Sequence, residues 1–189
     1  MKKTILSLFF SVSTIISLAQ TISNFALKNV MDNSTVNLSD FSSGPGIVLV
    51  FTSVACPFDG YYTNRLKLLQ AAYADRLPVI LVNSYTESPE GEEWMTKSAV
   101  AAGLTLPYLA DKEQALMTQL GAQRSPEAFL LKNVNNQFTV VYHGAIDDNA
   151  QVEAGVKTSF LKDAIEASLA GRTPATTTSR PVGCYIRKK

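Results

Sequence analysis

The chain has 189 residues, of which 46% are hydrophobic and 17% charged, and a formal net charge of +1. That is enough apolar material for one domain with a real core, and it excludes a disordered chain. So even a charge balance also excludes a strongly basic surface, so nucleic acid is not an expected partner.

The N-terminus differs from the rest. Met1-Lys2-Lys3 is a short basic head, and an apolar stretch with interspersed serines runs from Ile5 to Leu18. Ser17 and Ala19 then place small residues three and one positions before a cut at Gln20. This is the pattern of a cleaved secretory leader, and the apolar stretch is short for a membrane span. The expected organisation is a signal peptide over 1–19, a folded domain over 20–172, and a flexible linker with a cysteine-containing tail over 173–189. Export predicts a periplasmic or secreted protein with no membrane span after cleavage. In an oxidising compartment the two cysteines, Cys56 and Cys184, tend toward a disulfide or a redox couple.

Taken in order, Phe25-Ala26-Leu27 reads as a weak strand, Asp32-Asn33 as a turn, and Val36-Asn37-Leu38 as the returning strand of a hairpin. Gly44-Pro45-Gly46 breaks the chain. Ile47 to Phe51 is an apolar run of strand length. Tyr62, Leu66, Leu69 and Tyr73 then recur on one helical face. Leu77 to Val82 is a second buried strand, of the kind covered on both faces in parallel sheets. Trp94, Met95, Ala99 and Ala102 predict a second helix, ended by Gly103. Asp111 is the expected N-cap of a helix through Leu120, closed by Gly121. Ala128 to Leu131 is a third core strand, Asn133 to Asn136 a turn, and Phe138 to Tyr142 its antiparallel partner. Phe160, Leu161, Ala164, Ile165 and Leu169 predict the last helix. Strands alternating with helices make the chain α/β. Thr173 to Ser179 is a low-complexity linker.

Cys56 lies where the first core strand hands over to a helix. Pro57 suits the first helical turn, where its missing N–H has no partner to lose. Unpaired N–H groups and the positive end of the helix dipole there favour a thiolate, the reactive form. Asp59, one turn later, opposes thiolate formation if it faces the sulfur. The simpler expectation is a solvated acid complementing the dipole. One of Tyr61 and Tyr62 is expected in the core and the other near the sulfur. Glu87, Glu90, Glu92 and Glu93 are expected on a solvated face at a helix start. His143, the single histidine, is expected to be structural. One histidine and two separated cysteines do not make a metal site, and no cofactor motif is present, so neither metal nor cofactor is expected.

The turn from Phe51 through Cys56 and Pro57 resembles the active-site turn of the thioredoxin superfamily. There a phenylalanine precedes the first active-site cysteine by five residues, and Asp59 occupies the position of the second cysteine. Ser125-Pro126 resembles the cis-proline of those proteins, which lies opposite that cysteine. Phe51-Thr52 and Cys56-Pro57 resemble peroxiredoxins of the alkyl-hydroperoxide-reductase/thiol-specific-antioxidant type, with Ser53 at minus three and Leu49 where the peroxidatic proline would stand. The late Gly183-Cys184-x-Ile186 and the Gly144 to Asp148 element resemble bacterial peroxiredoxin-like redoxins.

This resemblance implies a thioredoxin-like fold, a central mixed β-sheet flanked by helices on both faces. It implies Cys56 as the catalytic thiol, with Ser125, Pro126 and Pro57 as substrate-binding residues. It implies protein or small-molecule thiols, disulfides or peroxides as partners, together with an external thiol reductant. Cys184 has three readings: a resolving cysteine, half of a permanent disulfide, or a thiol without a partner. Three functions follow: thiol–disulfide exchange, peroxide reduction, or a binding module braced by a static bridge.

Overall fold

The computed structural model describes residues 21–189, and the expected leader lies outside them. The strands are β1 (Thr21–Ile22), β2 (Ala26–Asn29), β3 (Thr35–Asn37), β4 (Gly46–Phe51), β5 (Val79–Asn83), β6 (Tyr108–Ala110), β7 (Arg124–Ser125), β8 (Glu127–Val134), β9 (Gln137–Gly144) and β10 (Cys184–Tyr185). The α-helices are α1 (Pro57–Tyr73), α2 (Glu92–Ala101), α3 (Ala115–Leu120) and α4 (Phe160–Leu169).

Alternation along β4 decides how the sheet is filled. Successive side chains of a strand point to opposite faces. Val48 and Val50 join one core layer, while Ile47, Leu49 and Phe51 join the other. Every residue of β4 is buried, so it is an interior strand covered on both sides. It pairs in parallel with β5 and antiparallel with β8. Around it runs an eight-stranded mixed sheet in the order β1-β9-β8-β4-β5-β6-β2-β3.

The helices supply the two layers. Tyr62, Leu66, Leu69 and Tyr73 of α1 are all buried, as their spacing predicts. With Met95 and Ala99 of α2 and Leu161, Ala164 and Ile165 of α4 they cover the Val48/Val50 face. Leu116, Met117 and Leu120 of α3 cover the Leu49/Phe51 face. Each fully buried side chain of this kind stabilises the fold by about 1.5–3 kcal/mol. This is the thioredoxin-like arrangement that the sequence motifs imply.

The predicted hairpins form. β2 pairs with β3 through Ala26 and Asn37, and β8 turns into β9 at Asn135 and Asn136, which have φ of 53° and 63°. Positive φ at both positions is the requirement of a type I′ two-residue hairpin turn, and asparagine tolerates it. The start of α3 differs from expectation. Gln114, not Asp111, is the residue at its N-cap position. Asp111 still caps the helix from further back, accepting hydrogen bonds from the N–H groups of Leu116 (3.2 Å) and Met117 (2.9 Å). The Ser84 hydroxyl also donates to it (2.7 Å). Three donors on one buried carboxylate hold it in place away from the cap position.

Two further ties position the site. The Gly144 to Asp148 element carries Asp147, buried and paired with Arg65 of α1 at 2.9 Å. That pair links α1 to the loop after β9, and its charges balance where neither is solvated. The threonine-rich segment lies along β9. His143 N–H donates to the Thr177 carbonyl, Ser179 N–H to the His143 carbonyl, and Ala145 N–H to Ser179 Oγ. A Cβ on Gly144, where φ is +136°, would stand 2.1 Å from the Ser179 carbonyl oxygen. Glycine there lets the chain pass closely enough to carry the tail back over the sheet.

Candidate active site

Cys56 is the N-cap residue of α1, with Pro57 at its first position, as the sequence predicts. Its sulfur is bonded to that of Cys184, with the two Cα atoms 5.9 Å apart. The Ser125–Pro126 peptide bond is cis. The Ser125 carbonyl oxygen lies 3.6 Å from Cys56 Sγ. A disulfide sulfur has no proton to donate, so in this state the approach is a packing contact. Cys184 reaches the site because β10 pairs antiparallel with β7, placing Cys184 opposite Ser125 and Tyr185 opposite Arg124. Thus Cys56, Cys184, Ser125 and Pro126 converge. Pro57 is exposed and lines a neighbouring cavity of about 320 Å³.

Tyr85 braces this junction. Its hydroxyl donates to the Cys184 carbonyl (2.9 Å) and lies 2.8 Å from Ser125 Oγ. Burial holds the phenol well above its ordinary pKa, so it stays a donor at neutral pH.

Glu90 corrects one expectation. It is 3% exposed, not solvated like Glu92 and Glu93 at the start of α2. One carboxylate oxygen accepts from Ser53 Oγ (2.5 Å) and Ala55 N–H (3.0 Å). The other accepts from Val54 N–H (2.9 Å) and Asn83 Nδ2 (2.7 Å). Four donors repay its desolvation and fasten the loop that delivers Cys56. Ser53 Oγ in turn accepts from Cys56 N–H at 3.0 Å. Lys112 Nζ donates to the Glu90 carbonyl, Asn83 Oδ1 and the Tyr85 carbonyl. Burial lowers the Lys112 pKa to about 8, with the charge of Glu90 opposing the fall.

Asp59 corrects another. It lines the cavity beside Cys56, and both carboxyl oxygens are buried with no hydrogen-bond partner. Burial pushes the carboxyl well above the usual carboxylate range. The signal was in the sequence: Asp59 precedes Tyr62 by three residues and so continues the core stripe of α1 by one turn. Tyr62 is the core tyrosine, while Tyr61 is 48% exposed and packs edge-on to Phe58, not at the sulfur. His143 stacks on Phe129.

The sign of the Asp59 shift gives a test. As pH rises through the ordinary carboxylate value of 3.8, the unfolded chain releases this proton while the folded chain keeps it. Stability contributed by the protonated form is therefore lost as pH rises toward the folded pKa. Asn cannot ionise. Asp59→Asn should be more stable than the parent at about pH 7, with the difference closing toward about pH 4. Urea unfolding of both proteins at several pH values measures it, and a pH-independent difference refutes the buried-acid reading.

The chain is similar to two bacterial proteins of unassigned function over nearly its whole length. A hypothetical protein from Sinorhizobium meliloti 1021 has 28% identity and a TM-score of 0.81, the match covering 93% of this chain and 97% of that one. An uncharacterised conserved protein from Geobacillus kaustophilus has 26% identity and a TM-score of 0.80, covering 93% and 94%. A secreted disulfide oxidoreductase from Mycobacterium tuberculosis shares the fold, with 14% identity, a TM-score of 0.55, and coverage of 78% and 95%. No curated protein matches. The sequence model of the AhpC/TSA family matches residues 18–153, taking in the strand, the turn with Cys56, the cis-proline and the Asp147 element. The chain therefore belongs to the AhpC/TSA family, as a redoxin with a thioredoxin-like fold.

Proposed function

We propose that this protein is an exported thiol–disulfide oxidoreductase in which Cys56 reacts with substrate and Cys184 resolves the adduct. The observation that supports this most is the bridge itself. It joins the N-terminal residue of a helix, where a thiolate is favoured, to a cysteine on a short strand near the chain end. In the reduced protein the Cys56 thiolate attacks a substrate disulfide, and Cys184 then attacks Cys56 Sγ to free the substrate thiol. Ser125 and Pro126 form the substrate-binding edge, with Pro57 at its rim. Export rests on the pattern of residues 1–19, and a formed disulfide suits an oxidising compartment. No helix among the described residues is long and apolar enough to cross a membrane.

Peroxide reduction is the second reading, favoured by the family. Two observations weigh against it. Leu49 is fully buried inside β4, where the peroxidatic proline would stand. The Ser53 hydroxyl directs its proton at Glu90, not at the sulfur.

Trapping tests the cycle. Cys184→Ser, offered an oxidised protein, should accumulate mixed disulfides on Cys56 that intact-mass analysis detects, and Cys56→Ser should give none. The Cys56/Cys184 couple should titrate between about −270 and −120 mV. A couple below about −300 mV with no trapped adduct would make the bridge a static brace and overturn the proposal. Peroxide consumption faster than that of a free thiol would favour the second reading.

A further inference from the structure

The strand β10 is held by the groove as well as by its disulfide. Arg124 Nη1 donates to the Gly183 carbonyl (2.8 Å), and Tyr85 donates to the Cys184 carbonyl. Ile186 N–H donates to the Gln123 carbonyl (2.9 Å). The Gln114 amide clamps the end of the tail, donating to the Arg187 carbonyl (2.7 Å) and accepting from Lys189 N–H (2.8 Å). All of these are main-chain contacts of the tail, so they hold any extended segment.

Side chains enter at a few positions only. At Gly183 an added Cβ would lie 1.8 Å from the Ser125 carbonyl oxygen and 2.6 Å from its carbon. Both atoms are backbone next to Pro126, so no side-chain movement relieves the clash. Ile186 is 7% exposed and joins the core layer of α3. Tyr185 is exposed and lies under the Arg124 guanidinium, 3.7 Å from the ring centroid. An edge that binds by main chain and discriminates by alternate side chains is how sheets recognise peptides.

We propose that this groove selects extended protein segments with glycine immediately before the reacting cysteine and an aliphatic residue two positions after it, and that the chain's own tail is its resident copy of such a segment. The inference rests on the thiol-exchange reading above. It adds what the site recognises and how substrate leaves. Because β10 occupies the edge of β7 that lies beside Cys56, the tail and a substrate strand exclude each other there. In the first step Cys56 Sγ bonds to the substrate cysteine, the substrate disulfide breaks, and its other sulfur leaves as a thiolate that takes up a proton. In the second, the Cys184 thiolate bonds to Cys56 Sγ, and the substrate cysteine leaves as a thiolate while β10 retakes the edge. Two electrons and two protons pass from the Cys56/Cys184 pair to the substrate. An external dithiol restores the pair. Resolution and strand replacement are then one event.

The test uses full-length Cys184→Ser protein, reduced, and synthetic peptides copying residues 181–187 with the cysteine activated as a thiopyridyl disulfide. Thiopyridone release gives the rate of attack by Cys56. The peptide carrying Gly183→Ala should react at least about tenfold more slowly than the parent peptide, and one carrying Ile186→Ser should also be slower. Dithiodipyridine, too small to occupy the groove, should react equally with or without an excess of the thiol-free peptide carrying Cys184→Ser, whereas the reaction of the activated peptide should be competed by it. Equal rates for all peptides, with a reactive Cys56, would overturn the groove while leaving the oxidoreductase reading intact. A Cys56 that attacks neither peptide nor dithiodipyridine faster than a free thiol would sink both.

Discussion

Removing the Cys56–Cys184 bridge will lower the unfolding free energy by about 5 kcal/mol, the chain-entropy figure for so long a loop. The bridge spans a sequence separation of 128 residues, so it restrains nearly the whole domain in the unfolded state. At an ordinary urea dependence for a domain of this size, the unfolding midpoint should fall by about 2–3 M in Cys184→Ser or in dithiol reductant. The same experiment reports on the tail. If β10 stays docked without its covalent tie, the loss stays near that figure. If it leaves, the burial of Ile186 goes too, adding about 1.5–3 kcal/mol, and Arg187 becomes open to trypsin in the folded protein. A loss under about 1 kcal/mol would refute the view that the bridge constrains the unfolded chain.

How much of this was legible in the sequence depends on how local each decision is. The burial of β4 on two faces and the core stripe of α1 follow from short-range periodicity, and both were readable. The cis Ser125–Pro126 bond was readable only through family resemblance. Asp59 was readable in principle, since the stripe that places Tyr62 and Leu66 inside also places Asp59 inside. Its charge argued for water, but its position on the helix decided. Glu90 was not readable. Nothing local separates it from Glu87, Glu92 and Glu93. What selects it is the set of donors on Ser53, Val54 and Ala55, which only the fold brings to it. The meeting of the two cysteines was open for a similar reason. A threonine-rich linker specifies no register. The path is fixed by two close passages, Gly144 against Ser179 and Gly183 against Ser125, where any side chain would collide with backbone.

Glu90 should therefore be among the least replaceable residues outside the core. Glu90→Ala leaves Ser53 Oγ and the Val54 N–H without their acceptor, and takes one acceptor from the Ala55 N–H and Asn83 Nδ2, which keep Ser53 Oγ and the Tyr108 hydroxyl. Each buried donor left unpaired costs about 1–3 kcal/mol, less where water can enter. With partial rescue by water, a net loss of about 3 kcal/mol or more is expected. Glu90→Gln separates charge from shape. Its size is conserved, but it has one acceptor oxygen instead of two. Whichever way the amide turns, its NH₂ group faces two of the four donors, so this variant should also lose about 2 kcal/mol. The loss should reach the chemistry as well. Ser53, Val54 and Ala55 set the approach of Cys56 to the end of α1, and Cys56 N–H itself is held by Ser53 Oγ. In a reduced Cys184→Ser background, both Glu90 variants should change the pH dependence of Cys56 alkylation. Asp147→Asn, whose hydrogen bonds go to Tyr62, Arg65 and Asn149 and to none of these donors, should change stability but leave the alkylation profile in place. Urea unfolding and alkylation kinetics on the same samples decide the matter. If Glu90→Gln matches the parent in both, the carboxylate does not fasten the loop, and the arrangement of Cys56 must depend on the helix and the cis-proline edge alone.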